Sequence, residues 1–457
     1  VVLAAGEGIR MKSELPKGLH KLWGKTILEH VLKALKPITE ENIVVVVVGH
    51  KAEEVRAVIG EEVVYAYQLE QLGTGHAAAQ ALDSVSDEGE VLIVCGDTPL
   101  LTTEIFMALL GFHREENCAA TVLTAGLNDP FGYGRIIRDQ KGKVTKIVEE
   151  KDASTREKEV TEINTGTYCV EASWLKKGIK SISNENLKKE YYLTDLVEIL
   201  ARQGQKVCGF KIKDFVSAQG INTRVQLAKA AEIMRRRINE KLMLEGVTLV
   251  DPSAVYIDGE VQVGKDTVIL PQTMIEGKTT IGEGCVIGPH SRLVNVSVGE
   301  GVVIQNSIVL DSSIGDKANI GPFAYIRPET KIGPGVKVGD FVEIKKSEIG
   351  EGSKVPHLTY VGDTTIGEKV NLGAGTIIVN YDSVNKHHTV IEDEAFIGCN
   401  SNLIAPLHIG KGAFIGAGST INNDVPEDAL ALARPSQVNK LNAARRLRSL
   451  LNVKNQK

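Results

Sequence analysis

The sequence has few aromatic residues, no closely spaced cysteines and no long hydrophobic run. Phe, Trp and Tyr make up 5% of the 457 residues, so a mainly aliphatic core is expected. The six cysteines are scattered without a Cys-x-x-Cys pair, which argues against a zinc site or a disulfide framework and favours a reducing cytoplasm. No apolar run reaches the length of a membrane span, and residues 1–5 lack the basic flank of a signal peptide.

An excess of charge of either sign is also missing. The formal net charge is −5 and the pI is about 6.1, which gives no basic surface for a nucleic acid. The hydrophobic content of 42% and the charged content of 24% are typical of soluble globular proteins. Since 457 residues exceed one ordinary domain, we expect two or three domains, with neither nucleic acid nor membrane as a partner.

Residues 1–222 alternate short aliphatic runs with amphipathic stretches. Buried strands are predicted at 1–5, 43–48 and 91–95. Helices are predicted at 26–36 and, after the second strand, through residue 58. This alternation favours an α/β fold, a Rossmann-like domain with a mostly parallel sheet covered on both faces. In such sheets ligands bind beyond the carboxyl ends of the strands.

Residues 223–245 predict one long connecting helix without internal Gly or Pro, ended by Gly246. Arg235, Arg236 and Arg237 on this helix could form a basic patch, but a solvated helix face is the stronger interpretation.

After about residue 250, aliphatic residues recur every six positions. The repeat includes Ile281, Ile287 and Leu293, then Ile314, Ile320, Ile326, Ile332, Val338 and Ile344, and finally Ile391, Ile397, Leu403, Ile409, Ile415 and Ile421. A six-residue aliphatic repeat, often followed directly by glycine, predicts a parallel β-helix in which equivalent residues stack from coil to coil. The expected domains are therefore residues 1–222, a linker helix at 223–245, and a β-helix with a C-terminal helix at 246–457.

A glycine-containing loop follows the first predicted strand. Gly6 and Gly8 allow backbone N–H groups to approach a phosphate or a base, although a tight turn explains such a pair equally well. A dinucleotide-binding loop is disfavoured, because the third glycine and the helix directly after the loop are missing. Instead Pro16 and Lys17 follow, in a rigid loop that can present a compact positive charge to phosphates.

Several motifs in a fixed order resemble one family over nearly the whole chain. They are LAAGEGIRM (3–11), LPKGLHKL (15–22), QLEQLGTGHA (68–77), GDTPL (96–100), GYGRI (132–136), VEEKD (148–152) and EINTG (162–166). The chain resembles the bifunctional N-acetylglucosamine-1-phosphate uridylyltransferase/glucosamine-1-phosphate N-acetyltransferases. The resemblance implies a left-handed β-helix, a homotrimer, Mg²⁺, and four small-molecule substrates: UTP, N-acetylglucosamine 1-phosphate, glucosamine 1-phosphate and acetyl-CoA. It also implies synthesis of peptidoglycan precursors, and of lipopolysaccharide in a Gram-negative source.

The resemblance implies roles for residues of the N-terminal half. The expected nucleotide contacts are Leu3, Ala4, Ala5, Gly6, Arg10, Lys17, Gln68, Gly73 and Thr74. The expected acetamido-sugar pocket is Gly134, Glu149, Asn164 and Asn222. Lys17 and Asp97 are expected to be catalytic, and Asp97 and Asn222 to hold Mg²⁺, because a carboxylate and an amide oxygen leave room for phosphate and water ligands. No protein nucleophile is needed, since the sugar phosphate can itself attack the α-phosphorus of UTP.

Two irregularities in the six-residue repeat indicate a second site. Arg327 and Lys345 replace the usual glycine after a stacked aliphatic residue and lie 18 residues apart, one coil of three hexapeptides. Stacked like charges are unfavourable unless an anion, such as a sugar 1-phosphate, binds them. The stretch between Ile378 and Ile391 exceeds two hexapeptides by one residue, which predicts a loop that reaches a ligand or a neighbouring subunit.

The resemblance implies that His357 is the general base for acetyl transfer, with Glu343 orienting or charge-stabilising it. The implied amino-sugar-phosphate contacts are Arg327, Lys345, Tyr360 and Asn371. The implied acetyl-CoA contacts are Ala374, Asn380, Tyr381, Cys399, Ala417 and Arg434, of which Asn380 and Tyr381 also belong to the amino-sugar pocket. Cys399 could be a nucleophile, but no base is evident beside it and direct transfer needs none.

Two other functions stay open at this point. The chain could be a nucleotidyltransferase whose β-helix serves only regulation or assembly, but this leaves His357 and Lys345 without a role. It could also be a non-enzymatic scaffold with the same two folds, but this leaves Lys17 and Asp97 without one. Gly18 departs from the family pattern, where a bulkier aliphatic residue is expected, and this puts nucleotide affinity in doubt.

Overall fold

The computed structural model of the protein describes residues 1–39 and 43–454. The chain forms two compact units, Val1–Arg235 and a second unit from Arg236 onward. The border between them lies within the helix Arg224–Leu244, which occupies the predicted connector and ends before Gly246 at a φ of +95°.

A nine-stranded mixed sheet forms the centre of the first unit. Its strands, in order across the sheet, are Val207–Ile212, Ala120–Gly126, Glu162–Glu171, Glu90–Cys95, Val2–Leu3, Val45–Val48 and Val64–Tyr67, with Arg135–Arg138 and Val144–Val148 beside Glu162–Glu171. From Glu90–Cys95 to Val64–Tyr67 the strands are parallel, as the aliphatic runs predict. Glu162–Glu171 runs antiparallel to both of its long neighbours, so the other half of the sheet is mixed.

Helices cover this sheet and place polar loops at its edge. They are Ile27–Leu35, Ala52–Ile59, Thr74–Gln80, Thr103–Glu115, Thr155–Lys158, Ala172–Ile179 and Asp195–Arg202. Short 3₁₀ turns lie at Ile9–Met11, Lys17–Leu19, Lys36–Ile38, Leu82–Ser84 and Phe215–Ala218, and a small hairpin pairs Lys21–Leu22 with Lys25–Thr26. Thr26 and Glu29 form a capping box that begins the first helix and turns Leu28 and Val31 into the core.

One pair of cysteines departs from the sequence-based expectation. Cys118 and Cys208 form a disulfide although 90 residues separate them, whereas the other four cysteines are free. The parallel pairing of Val207–Ile212 with Ala120–Gly126 brings them together, a proximity that linear spacing does not reveal.

The second unit is a parallel β-helix with three sheets. The first sheet contains Thr248–Leu249, Val268–Ile269, Val286–Ile287, Val303–Ile304, Asn319–Ile320, Lys337–Asp340, Lys354–His357, Asn371–Leu372, Phe396–Ile397, Phe414–Ile415 and Leu430–Ala431. The second contains Val255–Ile257, Thr273–Glu276, Arg292–Val294, Ile308–Leu310, Tyr325–Ile326, Glu343–Lys345, Tyr360–Gly362, Ile377–Val379, Asn402–Ile404 and Thr420–Ile421. The third contains Gln262–Val263, Thr280–Ile281, Ser297–Val298, Ser312–Ile314, Thr330–Ile332, Glu348–Ile349, Thr364–Ile366, Thr389–Ile391 and Leu407–Ile409. A 3₁₀ turn at Pro252–Ala254 precedes the first coil's second strand, and the helix Ala443–Lys454 follows the last coil.

The repeated aliphatic residues fill the inside of the coils. The column of the first sheet includes Ile287, Ile304 and Ile320, each fully buried. Glycine follows many of these residues because the backbones of successive coils approach closely at the corner. A Cβ at Gly282 would lie 2.6 Å from the carbonyl oxygen of Gly299, and one at Gly350 would lie 2.4 Å from that of Gly367.

Candidate functional site

A pocket of about 320 Å³ opens where the parallel strands of the first unit end, within the usual range of ~300–1,000 Å³ for small-molecule sites. Nine of the residues expected to bind the nucleotide or metal line it: Leu3, Ala4, Ala5, Gly6, Lys17, Gln68, Gly73, Thr74 and Asp97. The strands Val2–Leu3 and Glu90–Cys95 are neighbours, so the loops that follow them converge here. Gln71 and Glu190 also line the pocket, although no feature of the sequence singled them out.

Two residues that line this pocket, Lys17 and Asp97, also meet Asn222. The Lys17 ammonium donates to Asp97 Oδ2 at 2.5 Å and to Asn222 Oδ1 at 3.1 Å. The main-chain segments that carry these two oxygen ligands are joined without the lysine, since Ile221 N donates to the Asp97 carbonyl at 2.9 Å. Among the described residues no three His, Cys, Asp or Glu side chains form a metal cluster, so a metal here would rest on one carboxylate and one amide. The chemistry of that donor set fits Mg²⁺, because both oxygens already bind one cation.

Three of the four residues expected to bind the acetamido sugar, Gly134, Glu149 and Asn164, lie together. Asn164 N donates to the Gly134 carbonyl at 2.9 Å, and a Cβ at Gly134 would lie 3.5 Å from Glu149 Oε1. The missing side chain at Gly134 thus leaves space beside Glu149. Burial raises the pKa of the Glu149 carboxyl, which accepts from Thr194 Oγ1 at 3.3 Å. The sequence analysis did not identify Thr194, because it belongs to the turn before another helix.

The structure does not bring Arg10 into the lining of the nucleotide pocket. Its side chain is exposed on the Ile9–Met11 turn. Gly18 does line the pocket, and a Cβ there would contact Leu28 Cβ at 3.4 Å.

In the β-helix, His357 is paired with a residue that the sequence analysis missed. His357 Nδ1 lies 2.6 Å from Asp340 Oδ1, and the hydrogen bond from the imidazole lowers the pKa of Asp340. The Glu343 carboxylate accepts from Arg327 at 2.7 Å in the neighbouring sheet, and its expected role in orienting or charge-stabilising His357 stays a prediction. The His357 side chain is 54% exposed, so a ligand can reach the ring.

The predicted pair of stacked cations, Arg327 and Lys345, gains a third member in Lys386, and we call these three residues the cation ledge. Ile326 pairs with Ile344, so Arg327 and Lys345 lie in adjacent coils on one side of the β-helix. Lys386, from the 380–388 loop, lies close to Lys345, and this second cation lowers the pKa of Lys345. Such a cluster of cations favours an anion as ligand.

The remaining predicted contacts fall into two groups. Tyr360 lies in the second sheet beside Glu343, and Asn371 lies in the first sheet one coil further along, beside Lys354. Asn380 donates to Asp363 Oδ2 at 2.6 Å, and the exposed Tyr381 donates to the Ser383 carbonyl at 2.6 Å, which shapes the predicted loop.

Three of the six expected acetyl-CoA contacts, Ala374, Cys399 and Ala417, form a column at one corner of the β-helix. Gly375 N donates to the His357 carbonyl, Asn400 N to that of Ala374, and Gly418 N to that of Cys399. The corner residues of successive coils are therefore His357, Ala374, Cys399 and Ala417, in that order. Arg434 is exposed just after the last strand. Cys399 is exposed as a free thiol.

Comparisons with known proteins agree with both units. The family profile for the MobA-like NTP transferase domain matches residues 1–153, and that for the bacterial transferase hexapeptide (six repeats) matches residues 260–294. A bifunctional protein GlmU from Caldanaerobacter subterraneus subsp. tengcongensis is 54% identical, with 96% of each chain covered. GlmU from Halalkalibacterium halodurans is 51% identical, covering 96% of this chain and 97% of that protein. The chain belongs to the family of bifunctional GlmU proteins.

The fold of this GlmU-family chain is accordingly an N-terminal α/β nucleotidyltransferase domain followed by a left-handed parallel β-helix of hexapeptide repeats. In residues 1–39 and 43–454 we find no helix with both the length and the apolar character that crossing a membrane requires.

Proposed function

We propose that this chain makes UDP-N-acetylglucosamine in two steps, as a uridylyltransferase (residues 1–222) and an acetyltransferase (residues 246–457) joined by the helix at 223–245. The single observation that carries the proposal is the presence of two complete constellations on one GlmU-family chain. Lys17, Asp97 and Asn222 meet in the first unit. His357 and Asp340 meet in the second.

In the first unit, an oxygen of N-acetylglucosamine 1-phosphate attacks the α-phosphorus of UTP, and the bond to the pyrophosphate leaving group breaks. The strand ends and the Gly6 loop place the nucleotide, while Lys17 neutralises charge on the phosphoryl oxygens. Asp97 and Asn222 would hold Mg²⁺, which supplies further neutralisation of phosphate charge when bound.

In the second unit, the amine of glucosamine 1-phosphate attacks the thioester carbonyl carbon of acetyl-CoA. The carbon–sulfur bond breaks and coenzyme A leaves as the thiolate, while His357 Nε2 takes the amine proton. Asp340 holds the Nδ1 side of the ring, which directs Nε2 to the substrate. The cation ledge of Arg327, Lys345 and Lys386 would bind the sugar phosphate. The column of Ala374, Cys399 and Ala417 would bind the part of coenzyme A that carries the thiol.

Acetylation comes first in this proposal. The space at Gly134, beside the buried Glu149 and Asn164, suits an acetamido group, so the uridylyl step would select the acetylated sugar. The product would serve peptidoglycan synthesis, and lipopolysaccharide synthesis in a Gram-negative cell.

We further propose a homotrimer in the cytoplasm. Phe323 and Phe341 stack at 5.5 Å on the exposed side of a β-helix corner, where a neighbouring subunit would bury them. Four free cysteines support a reducing compartment, whereas the disulfide of Cys118 and Cys208 does not.

Two assays of the wild-type chain test the proposal against its rivals. Thiol release from acetyl-CoA with glucosamine 1-phosphate tests the acetyltransferase, and its absence would favour a β-helix that serves only regulation or assembly. Pyrophosphate release from UTP, N-acetylglucosamine 1-phosphate and Mg²⁺ tests the uridylyltransferase. A chain that does neither would be a scaffold.

A further inference from the structure

The ammonium group of Lys17 occupies the space between the two oxygens assigned to the metal. It is 2.5 Å from Asp97 Oδ2 and 3.1 Å from Asn222 Oδ1. Mg²⁺ bound to the same oxygens would be ~2.0–2.1 Å from each. The two cations would therefore lie within a distance at which their charges repel strongly, and they cannot bind there together.

We propose that Lys17 is a tethered cation which holds the metal position in the free enzyme and must leave it before a divalent cation can bind. This inference rests on the proposed function, in that it takes Asp97 and Asn222 as the metal ligands. Beyond that function, we infer that the Lys17 ammonium has two positions. We also infer that Lys17 sets how tightly the free enzyme binds the metal.

The metal position does not depend on the lysine for its shape. Ile221 N donates to the Asp97 carbonyl at 2.9 Å, and Asn222 N donates to Gln226 Oε1 at 2.8 Å. These bonds hold the main-chain segments of Asp97 and Asn222 side by side. When Lys17 leaves, both side chains still start from adjoining backbone and can offer their oxygens to another cation.

The alternative position of Lys17 is close at hand. A Cβ on Gly8 would lie only 2.8 Å from Lys17 Cβ, so the root of the lysine side chain adjoins the glycine loop. Rotation about the side-chain bonds can move the ammonium from Asp97 toward that loop without moving Pro16 or the buried Leu19. There the Lys17 ammonium would pair with the nucleotide phosphates that we expect at the loop.

Both partners of the ion pair are shielded from solvent. The Lys17 and Asp97 side chains are each 18% exposed. A hydrogen-bonded charge pair in such surroundings is stronger than a surface pair and competes effectively with a hydrated metal ion. Metal binding to the free enzyme is therefore weakened, and nucleotide phosphates strengthen it by giving Lys17 another anionic partner.

The test measures Mn²⁺ binding to the full-length protein without nucleotide. The electron paramagnetic resonance signal of free Mn²⁺ reports how much of the metal is bound. Lys17→Met removes the tethered cation and should bind Mn²⁺ about tenfold more tightly than wild type, from the usual strength of a charged hydrogen bond. Lys21→Met is the matched control, because it removes the same charge from an exposed residue four positions away and should not change the affinity.

Asp97→Ala separates failure of this inference from failure of the proposed metal site. If Asp97→Ala abolishes Mn²⁺ binding and Lys17→Met leaves it unchanged or weaker, the tethered-cation inference is overturned while the metal site stands. If Asp97→Ala binds Mn²⁺ like wild type, both are overturned.

A second measurement needs no variant. Acetylation of wild-type lysines by an amine-reactive ester, read by peptide mass spectrometry, should show that Mg²⁺ alone raises labelling of Lys17 severalfold relative to Lys21. Equal labelling with and without Mg²⁺ would contradict the displacement of Lys17.

Discussion

At the scale of single residues, the proposed acetyl-transfer site centres on a pair of side chains in adjacent coils. Asp340 contacts His357 through Nδ1, and this carboxylate fixes both the tautomer and the direction of the ring. We describe Asp340 as a positioning residue, because it acts on the substrate through His357.

Asp340→Asn should lower kcat for acetyl transfer by about tenfold or more, because the amide no longer selects the tautomer with a basic Nε2. The loss should be smaller than the ~10²–10⁴-fold that removal of a general base costs, as in His357→Ala. Thiol release from acetyl-CoA measures both, and uridylyl transfer serves as the control. If Asp340→Asn costs as much in the His357→Ala background as alone, the two residues do not act together.

A second residue-scale prediction concerns Asp195, at the start of the helix Asp195–Arg202. Burial, together with the charges of Glu198, Glu149 and Asp152, raises the pKa of Asp195 from 3.8 to about 6. The folded state therefore holds this proton over a range where the unfolded state has lost it. Stability is lost as pH rises from about 4 to about 6, and the loss is constant above that.

Asp195→Asn should therefore raise the melting temperature relative to wild type at pH 7.5, and should do so less at pH 4. Thermal unfolding of both proteins across this range measures the difference. Glu115→Gln, at the exposed end of another helix, is the control. A difference between Asp195→Asn and wild type that is the same at both pH values would show that Asp195 titrates normally.

At the scale of elements, the stacked columns stabilise the β-helix. Ile304 is fully buried between Ile287 and Ile320 of the adjacent coils. Ile304→Ala should lower the free energy of unfolding by about 2–5 kcal/mol, because it removes buried methyl groups and leaves a cavity. Urea unfolding of the full chain measures this change.

Asn319→Ala is the matched control for Ile304→Ala, since Asn319 is exposed in the next strand of the same sheet. Its effect should stay within about 0.5 kcal/mol. Equal losses from the two substitutions would contradict a core built from stacked aliphatic columns.

The six-residue period predicted the β-helix well because each repeat supplies one buried aliphatic residue to a column. The same logic predicted that Arg327 and Lys345 lie in adjacent coils, since the coil between them has 18 residues. It missed Asp340 because the coil from Asp340 to His357 has 17 residues, so an 18-residue rule points to the wrong partner.

In the first unit, the motifs predicted which loops converge, but not the contacts that depend on pairing between distant segments. The antiparallel strand Glu162–Glu171 and the disulfide of Cys118 and Cys208 follow from sheet order. The contact of Lys17 with both Asp97 and Asn222 likewise requires the folded backbone, because 205 residues separate Lys17 from Asn222.

At the scale of the whole molecule, the central claim is that one GlmU-family chain carries two chemistries with separate groups in its two units. No residue of the Lys17, Asp97 and Asn222 site belongs to the second unit, and no residue of the His357 site belongs to the first. Each site should therefore tolerate loss of the other. The acetylated sugar phosphate made by one site is also a free substrate for the other.

The most direct test assays Asp97→Ala and His357→Ala separately and then mixed, starting from glucosamine 1-phosphate, acetyl-CoA and UTP with Mg²⁺. We predict that Asp97→Ala accumulates N-acetylglucosamine 1-phosphate, that His357→Ala consumes no acetyl-CoA, and that the mixture makes UDP-N-acetylglucosamine. Loss of both activities in either folded variant, or a mixture that fails to make UDP-N-acetylglucosamine, would contradict two independent sites.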